Sequence, residues 1–276
     1  MVGNRKGALR RSLQQRSIQF RRFLRKLRYK PNETVWFRLV REANRLAQHD
    51  NTDVPHYKCF KKLRAIEKRV NFIKLRTNEK ETISLESKNK QGYAIHVVVN
   101  AGGDTDEEIR EVRAHFIDMD LNKLVEFAES EERLWQKAKE LERMSGERFE
   151  SAVVQRYREG EYQLVAIRSE RWVRKMKRAF RIKYRQLLQG AMIVETRSGF
   201  QLYWPIAGGD PARFTDIQWG LIRKFGGDPA IANVSSVMRV PGYYHVKDSR
   251  KPFMTRVLRW GRAKAFTQDE LLNMIQ

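Results

Sequence analysis

The sequence predicts an α+β fold, because strand-like and helix-like segments are both present and occupy different stretches of the chain. Strand-like segments, which are short and rich in β-branched and aromatic residues, occur within residues 93–121 and 191–204. Helix-like segments, with apolar residues three or four positions apart, dominate the N-terminal third and residues 122–188. At 276 residues and 41% hydrophobic content, the chain can bury a sizeable core.

Residues 1–88 are predicted to form a basic helical N-terminal region. Residues 1–32 contain eleven Lys or Arg and no acidic residue, and their leucines and phenylalanines recur at helical spacing. Two further helical patterns run from about Glu33 to Ala47 and from about Cys59 to Leu75. Hydrophobic periodicity disappears from Thr77 to Gln91, which predicts a boundary and leaves residues 89–276 as a second domain.

Four strands are predicted within residues 93–204 of this second domain. Tyr93–Val99 and Ala114–Leu121 are apolar segments separated by a glycine-rich turn and a short acidic stretch. Ala191–Thr196 and Phe200–Trp204 are joined by Arg197-Ser-Gly, which is typical of a hairpin.

Residues 122–188 are predicted to be almost wholly helical. Their last part, Arg168–Arg185, holds nine Lys or Arg against one acidic residue, with aromatic residues on the opposite side of the helix. Such a face is either a solvated surface or a surface that binds the phosphates of a template or product duplex. The basic side chains on it are Arg171, Arg174, Lys175, Arg178, Arg181 and Arg185.

The remaining residues are predicted to add two helices and two short strands. A helix from about Phe214 to Phe225 ends at a Gly-Gly-Asp-Pro turn, and Val237–Val240 is a strand that ends at Pro-Gly. Val257–Trp260 is a further strand. Thr267-Gln-Asp-Glu is a capping box that opens a last helix through Met274.

The charge of the chain points to a polyanionic partner. Fifty-six Lys and Arg against thirty-three Asp and Glu give a formal charge of +23, which favours nucleic acid through phosphate neutralisation. No apolar run approaches the roughly 20 residues that span a bilayer, and the N-terminus lacks a signal-peptide core, so we expect a cytoplasmic protein without a membrane partner. The single cysteine, Cys59, excludes an internal disulfide and a multi-cysteine zinc site.

Asp118 and Asp120 are the best candidates for metal ligands. They lie two apart on a predicted strand, so both carboxylates face the same side. Two-metal phosphoryl transfer needs such hard oxygen ligands for Mg²⁺. An isolated Asp-X-Asp is more often a strand end whose acids face solvent, so the context must decide.

Two later segments are candidates for triphosphate contacts. Thr196–Trp204 carries the polar Gln201 on a strand entered through a small-residue turn, although alone it is an ordinary hairpin. In the second segment, Arg239, His245 and Lys247 surround a rigid Pro-Gly turn. Such a cluster grips a triphosphate because Arg offers a bidentate fork and Lys a compact charge, but in so basic a chain it also arises by chance.

Taken together and in this order, the three segments resemble the archaeo-eukaryotic-type primase superfamily, in particular the RepB-like primase branch of plasmids, phages and other mobile elements. The most specific is Gly-Gly-Asp-Pro followed by Met-Arg-Val-Pro-Gly-Tyr-Tyr-His-Val-Lys. The resemblance covers residues 89–276 and implies an RRM-like catalytic core, with an antiparallel or mixed sheet and flanking helices. Residues 122–188 exceed the usual connection between the first two motifs and are therefore expected to be a helical insertion.

The resemblance implies a DNA primase or polymerase that makes primers from nucleoside triphosphates on single-stranded DNA by a two-metal mechanism. It implies that Asp118 and Asp120 are catalytic and bind Mg²⁺ or Mn²⁺, with Asp228 as the nearest candidate for a third ligand. The expected partners are the template, the primer duplex and a replicative helicase in the same or a separate chain. Nucleotide contacts fall by position to Ser198, Gln201, Arg239, His245 and Lys247.

Two positions depart from the superfamily pattern and keep other functions open. Gln201 stands where a histidine commonly contacts the nucleotide phosphates, and a glutamine donates a hydrogen bond without charge. Asn233 stands where a third acid is expected. A catalytically silent, nucleic-acid-binding replication initiator or subunit is therefore one alternative. A metal-dependent nuclease is another, because paired acids and a basic surface also suit phosphodiester hydrolysis.

Overall fold

Antiparallel strands and helices together make up the described chain, which comprises residues 18–42, 57–67, 74–77, 82–248 and 250–276 of a computed structural model. The remainder of the predicted N-terminal helix and parts of the next two helical patterns lie outside the described residues. The helices are α1 (residues 18–26), α2 (Leu63–Glu67), α3 (Leu85–Lys90), α4 (Glu131–Ser145), α5 (Glu170–Lys183), α6 (Phe214–Phe225) and α7 (Gln268–Ile275). The strands are β1 (Thr34–Arg41), β2 (Tyr57–Lys62), β3 (Lys74–Thr77), β4 (Thr82–Ser84), β5 (Tyr93–Val98), β6 (Val112–Asp120), β7 (Lys123–Ala128), β8 (Phe149–Arg158), β9 (Glu161–Arg168), β10 (Met192–Glu195), β11 (Gly199–Gly209), β12 (Val237–Arg239), β13 (Tyr244–His245), β14 (Phe253–Met254) and β15 (Arg256–Arg259).

The described residues divide into two compact units. The first takes those up to Asp118 together with Gln189–Arg197 and Gln201–Gln276, and the second takes Met119–Leu188 and Ser198–Phe200. The first contains a six-stranded sheet in the order β12-β5-β1-β2-β3-β4. Its strands pair in antiparallel fashion, which confirms the predicted α+β class. The boundary predicted at residue 88 falls inside this sheet.

Two helical predictions for the N-terminal region are wrong. The pattern from Glu33 to Ala47 contains strand β1, in which Val35, Phe37 and Leu39 are buried at the period of two that a strand requires. The pattern from Cys59 to Leu75 contains strand β2, the short helix α2 and the first part of β3. The strands exist because β1 pairs with both β2 and β5, contacts that bring together distant parts of the chain.

A four-stranded sheet, in the order β15-β10-β11-β6, carries the predicted hairpin and the strand of Asp118. Helix α1 packs on the six-stranded and the four-stranded sheets of the first unit, with Phe20 against Phe37 of β1 and Phe23 against Tyr203 of β11. Behind β6, the buried Gln218 of α6 donates to the carbonyl of Phe116. These contacts fix the strand that presents the candidate site.

The second unit contains a three-stranded antiparallel sheet, in the order β7-β9-β8. The prediction that residues 122–188 are almost wholly helical is therefore wrong. Helix α4 covers one face of this sheet, where Leu134 and Ala138 pack on Leu164 and Ala166. Helix α5 is helical as predicted, but it ends at Lys183, so Arg185 lies just beyond it.

The C-terminal predictions are confirmed almost residue for residue. Helix α6 occupies Phe214–Phe225 and ends at Gly226, which adopts the left-handed conformation (φ +71°) that glycine allows. Helix α7 begins at the predicted capping box of Thr267 and Glu270. Within the described part of the chain, no helix has the length and hydrophobicity needed to cross a bilayer.

Candidate nucleotide and metal site

Strand β6 ends in the predicted pair of carboxylates. Its residues from Val112 to Ile117 are buried, Asp118 is half-buried, Met119 is buried and Asp120 is exposed. Because successive side chains of a strand alternate, the two aspartates project from the face opposite Met119. Asp118 is the last residue of the first unit in this stretch, and Asp120 lies in the second.

In the first unit, the backbone of Asp118 joins the turn that follows α6. Its carbonyl accepts a hydrogen bond from the amide of Asp228 at 2.9 Å. The side chain of Asp228 caps the short turn Pro229–Ile231, because its Oδ1 accepts from the amide of Ala230 at 2.9 Å. Asn233 is exposed. The predicted role of Asp228 as a third metal ligand stays a prediction.

In the second unit, Asp120 and the predicted Ser-Gly turn occupy neighbouring backbone positions. One oxygen of Asp120 accepts from the amide of Asn122 at 2.8 Å, and the amide of Leu121 donates to the carbonyl of Ser198 at 2.9 Å. A Cβ on Gly199 would lie 1.6 Å from the carbonyl oxygen of Met119. Only glycine permits so close an approach of two backbones.

Arg168 is the cation that interacts with Asp120. Burial lowers the pKa of Arg168, while the charges of Asp120 and Glu126 act in the opposite direction. Its Nη1 donates to the carbonyl of Leu121 at 3.0 Å, which fixes the guanidinium beside the end of β6. Arg168 is therefore a basic group beside Asp120 that the sequence did not single out.

The carboxylates of Asp118 and Asp120 fit a hard divalent ion by their chemistry. Mg²⁺ is commonly held by one or two protein carboxylates, with substrate phosphates and water as its other ligands. Among the described residues, no group of three or more His, Cys, Asp or Glu side chains is placed to hold a metal.

Gln201 is buried and faces the protein rather than solvent. It is 3% exposed. In the amide orientation that satisfies all its polar atoms, its nitrogen donates to the carbonyl of Arg239 at 2.9 Å and to the Tyr203 hydroxyl at 3.0 Å. Its oxygen accepts from the amide of Arg239 at 3.1 Å. The side chain of Gln201 thus links β11 to β12 through hydrogen bonds to the backbone of Arg239. Its predicted nucleotide contact stays a prediction.

Arg239 lies at the centre of a cluster of charged and polar side chains in the first unit. Strand β12 pairs with β5 so that Arg239 lies opposite His96, and its guanidinium binds Glu42 with an Nη2 to Oε1 distance of 2.7 Å. His245 Nε2 lies 3.9 Å from the other oxygen of Glu42. Arg239 and His245 are both largely buried.

The electrostatics of this cluster keep its histidines neutral. Burial, and then the charges of Arg239, Arg197 and Lys247, lower the pKa of His245 to about 2. Burial and the charge of Arg239 lower the pKa of His96 to about 3. The cations of the cluster are therefore Arg and Lys side chains, and the imidazoles are neutral hydrogen-bonding groups near pH 7.

Several buried polar atoms of the cluster have no hydrogen-bond partner among the described residues. They are Arg239 Nη1, His245 Nδ1, His96 Nδ1 and Glu42 Oε2. Buried polar atoms are normally paired, so such a group indicates a place for water or ligand. The cluster has donors for an anion, and its predicted third cation, Lys247, is exposed to solvent.

Sequence reasoning missed three members of this cluster. Arg197 belongs to the turn quoted with the second motif, and it is held by Asp248 at 3.5 Å and by the carbonyl of Lys251 at 3.0 Å. Its place inside the motif was a signal for its inclusion. Glu42 and His96 gave no such signal, because they reach the cluster only through the pairing of β1, β5 and β12.

Helix α5 and the residues just after it present the predicted basic side chains to solvent. All six are exposed, from Arg171 to Arg185. Arg171 binds Glu147 at 3.0 Å, and Lys175 binds the same carboxylate. Within the described residues, Arg174, Arg178 and Arg181 have no carboxylate partner. Among the predicted basic side chains within α5 itself, these three are therefore open to an external anion.

Comparison with known proteins identifies the fold. No protein-family model matches the chain, and no curated protein matches it. Among solved structures, it is similar to the AEP domain of the primase-polymerase (PrimPol) of cyanophage S-2L, with a TM-score of 0.51 and 17% identity over 94% of this chain and 97% of that one. It also aligns with primase RepB' (TM-score 0.48, 13% identity, 94% of this chain and 62% of that one). A third alignment is with the catalytic domain of RepB' in complex with initiator DNA (TM-score 0.46, 15% identity, 93% of each chain).

The resemblance noted in the sequence and the first of these matches agree. The match extends over nearly the whole of both chains. At 17% identity it establishes a common fold, and the chemistry must be argued from the residues themselves. The chain has the fold of a primase-polymerase AEP domain.

Proposed function

We propose that this chain is a template-dependent DNA primase-polymerase of the archaeo-eukaryotic-type superfamily, in the replication of a plasmid, phage or other mobile element. The observation that carries the proposal is the position of Asp118 and Asp120 at the end of β6 in a chain with the AEP-domain fold. The basic cluster around Arg239 supports it, because it offers buried donors for phosphate oxygens.

The proposed reaction is nucleotidyl transfer. The 3′-hydroxyl oxygen of the growing primer forms a bond to the α-phosphorus of a nucleoside triphosphate, the hydroxyl loses its proton, and the bond to pyrophosphate breaks. Asp118 and Asp120 would hold Mg²⁺ or Mn²⁺, which supplies activation of the hydroxyl and stabilisation of the charge on pyrophosphate when bound. Arg239, with Lys247 and Arg197, would orient the triphosphate through its charge.

In this proposal the template and the product duplex bind to α5. Arg174, Arg178 and Arg181 are exposed and lie on one side of the helix. This arrangement would allow them to contact successive phosphates of a nucleic acid. Arg171 and Lys175 bind Glu147, which anchors the helix on the second unit. A replicative helicase in the same or a separate chain remains the proposed protein partner.

A primer-synthesis assay tests the catalytic proposal. Single-stranded DNA, labelled nucleoside triphosphates and Mg²⁺ or Mn²⁺ are incubated with the wild-type chain and with the Asp118→Ala, Asp120→Ala variant. We expect product from the wild type and a loss of at least a hundredfold in the variant. Asp216→Ala is the matched control, because this exposed aspartate lies in the first turn of α6. Equal product from the double variant and the control would refute the proposal.

A catalytically silent relative is the second candidate, and one observation favours it. Gln201 uses its amide on Arg239 and Tyr203, so the position where the superfamily pattern has a phosphate-binding histidine is committed to the protein. A silent initiator or subunit would bind DNA in a salt-sensitive way without incorporating nucleotides. In the same assay, shortening of labelled DNA without nucleotide would instead identify a nuclease.

A further inference from the structure

A carboxylate is bound inside the basic cluster of the first unit. Glu42 follows β1, and its own amide donates to the carbonyl of Gly92 at 2.9 Å. Its Oε1 accepts from Arg239 Nη2 at 2.7 Å, and the side chains of the two residues are 17% and 11% exposed. An acid at this place lowers the positive charge of a cluster proposed to bind a polyanion.

The ion pair leaves Arg239 only partly used. A guanidinium has five donors arranged as a fork, and Glu42 contacts it through Nη2. Nη1 is buried and has no hydrogen-bond partner among the described residues, as is true of His245 Nδ1 and of the second oxygen of Glu42. The fork therefore has a donor left for one more anionic oxygen beside the carboxylate.

We propose that Glu42 is a built-in counter-ion that holds Arg239 before substrate binds and competes with the triphosphate for its guanidinium. The inference rests on the proposed function, in which Arg239 is a triphosphate contact. Carboxylate and phosphate are like charges that meet at one cation, so Glu42 lowers the affinity of the site for triphosphate. In exchange, it compensates the buried charge of Arg239 while the site is empty.

This role and a purely structural one predict opposite effects for Glu42→Gln. Glutamine keeps an oxygen where Oε1 accepts from Arg239, so the guanidinium keeps its place while the negative charge is lost. Competition predicts tighter triphosphate binding after the substitution. A structural role predicts weaker or unchanged binding, because the orientation of Arg239 can only loosen.

The test measures binding of inorganic triphosphate to the full chain by calorimetry, together with the melting temperature in the absence of ligand. For Glu42→Gln we expect a lower melting temperature and about tenfold tighter binding of triphosphate. Glu33→Gln is the matched control, because Glu33 forms a comparable ion pair with the buried Arg113. It should lower the melting temperature and leave the affinity unchanged. Arg239→Gln should reduce binding in either background.

The possible outcomes separate this inference from the proposed function. Unchanged or weaker binding by Glu42→Gln, with normal binding by the wild type, overturns the role of Glu42 alone. Absence of triphosphate binding by the wild type overturns the triphosphate site and this inference with it. If Glu42→Gln does not fold, Glu42→Asp serves instead, because it withdraws the carboxylate by one methylene. Competition then predicts about threefold tighter binding, and a structural role predicts weaker binding.

Discussion

Replacing three arginines of α5 should weaken DNA binding and reduce the dependence of the affinity on salt. Arg174, Arg178 and Arg181 are exposed and have no carboxylate partner among the described residues. Each phosphate contact adds about 0.7 to the slope of log affinity against log salt for single strands and about 0.9 for duplex. The triple change to Gln should therefore reduce the slope by about 2 on single-stranded DNA and by about 2.7 on duplex.

This difference is large enough to measure by fluorescence anisotropy. Between 50 and 200 mM salt, a slope difference of about 2 makes the wild type lose roughly 20-fold more affinity than the variant. The matched control replaces Arg133, Lys139 and Arg143, which are exposed on α4 of the same unit. Helix α4 carries as many acidic as basic residues, so its surface offers no net attraction. Equal slope changes in the two triple variants would refute a specific role of α5 and leave only the net charge.

Two further predictions concern pH and backbone packing. Burial lowers the pKa of His96 and His115 to about 3 and of His245 to about 2, so the native state favours the neutral imidazoles and their contribution to stability is complete above the unfolded value near 6.5. As the pH falls below 6.5, we expect the free energy of unfolding, measured with urea, to drop by roughly 1 kcal/mol per pH unit for each histidine. The variant His115→Gln should lose the part of this pH dependence that comes from His115. A constant free energy of unfolding from pH 7.5 to 5.5 would contradict the prediction. Gly199→Ala places a Cβ 1.6 Å from the carbonyl oxygen of Met119. We expect it to lower the free energy of unfolding by about 1–3 kcal/mol or more, measured by thermal melting, and to reduce primer synthesis. A variant with full stability would show that β6 and β11 separate easily.

The strands and helices of the second half could be predicted because their signals are local. Helix α6 has a periodic apolar face and a glycine that ends it, and α7 has both members of a capping box. The segment of β1 is different, because its apolar residues satisfy both periods. Val35 and Leu39 are four apart as in a helix, and Val35, Phe37 and Leu39 alternate as in a strand. Only pairing with β2 and β5 decides between them, and those strands are far away in sequence.

The error in residues 122–188 has another cause. Strands β8 and β9 form a hairpin around Gly160, whose φ of +70° is the conformation that favours glycine. The turn residue Gly160 and the β-branched residues Val153, Val154, Val165 and Ile167 on either side of it were visible in the sequence. The adjoining helices α4 and α5 have a much stronger hydrophobic periodicity, and because of it the whole of residues 122–188 was predicted to be helical.

The residues of the candidate site were predicted from sequence motifs, whereas their positions depend on contacts that only the structure shows. By the resemblance, Gln201 stands where the superfamily pattern has a histidine, but the sequence does not show what the amide contacts. In the structure the amide bonds the backbone of Arg239, 38 residues later, so the replacement changes how Arg239 is positioned. With His96 and His245 held neutral, the attraction that we propose for a triphosphate comes from Arg239, Arg197 and Lys247. In the proposed function, Glu42 opposes that attraction at Arg239 itself, and we expect substrate affinity to depend on the balance between this carboxylate and its cations.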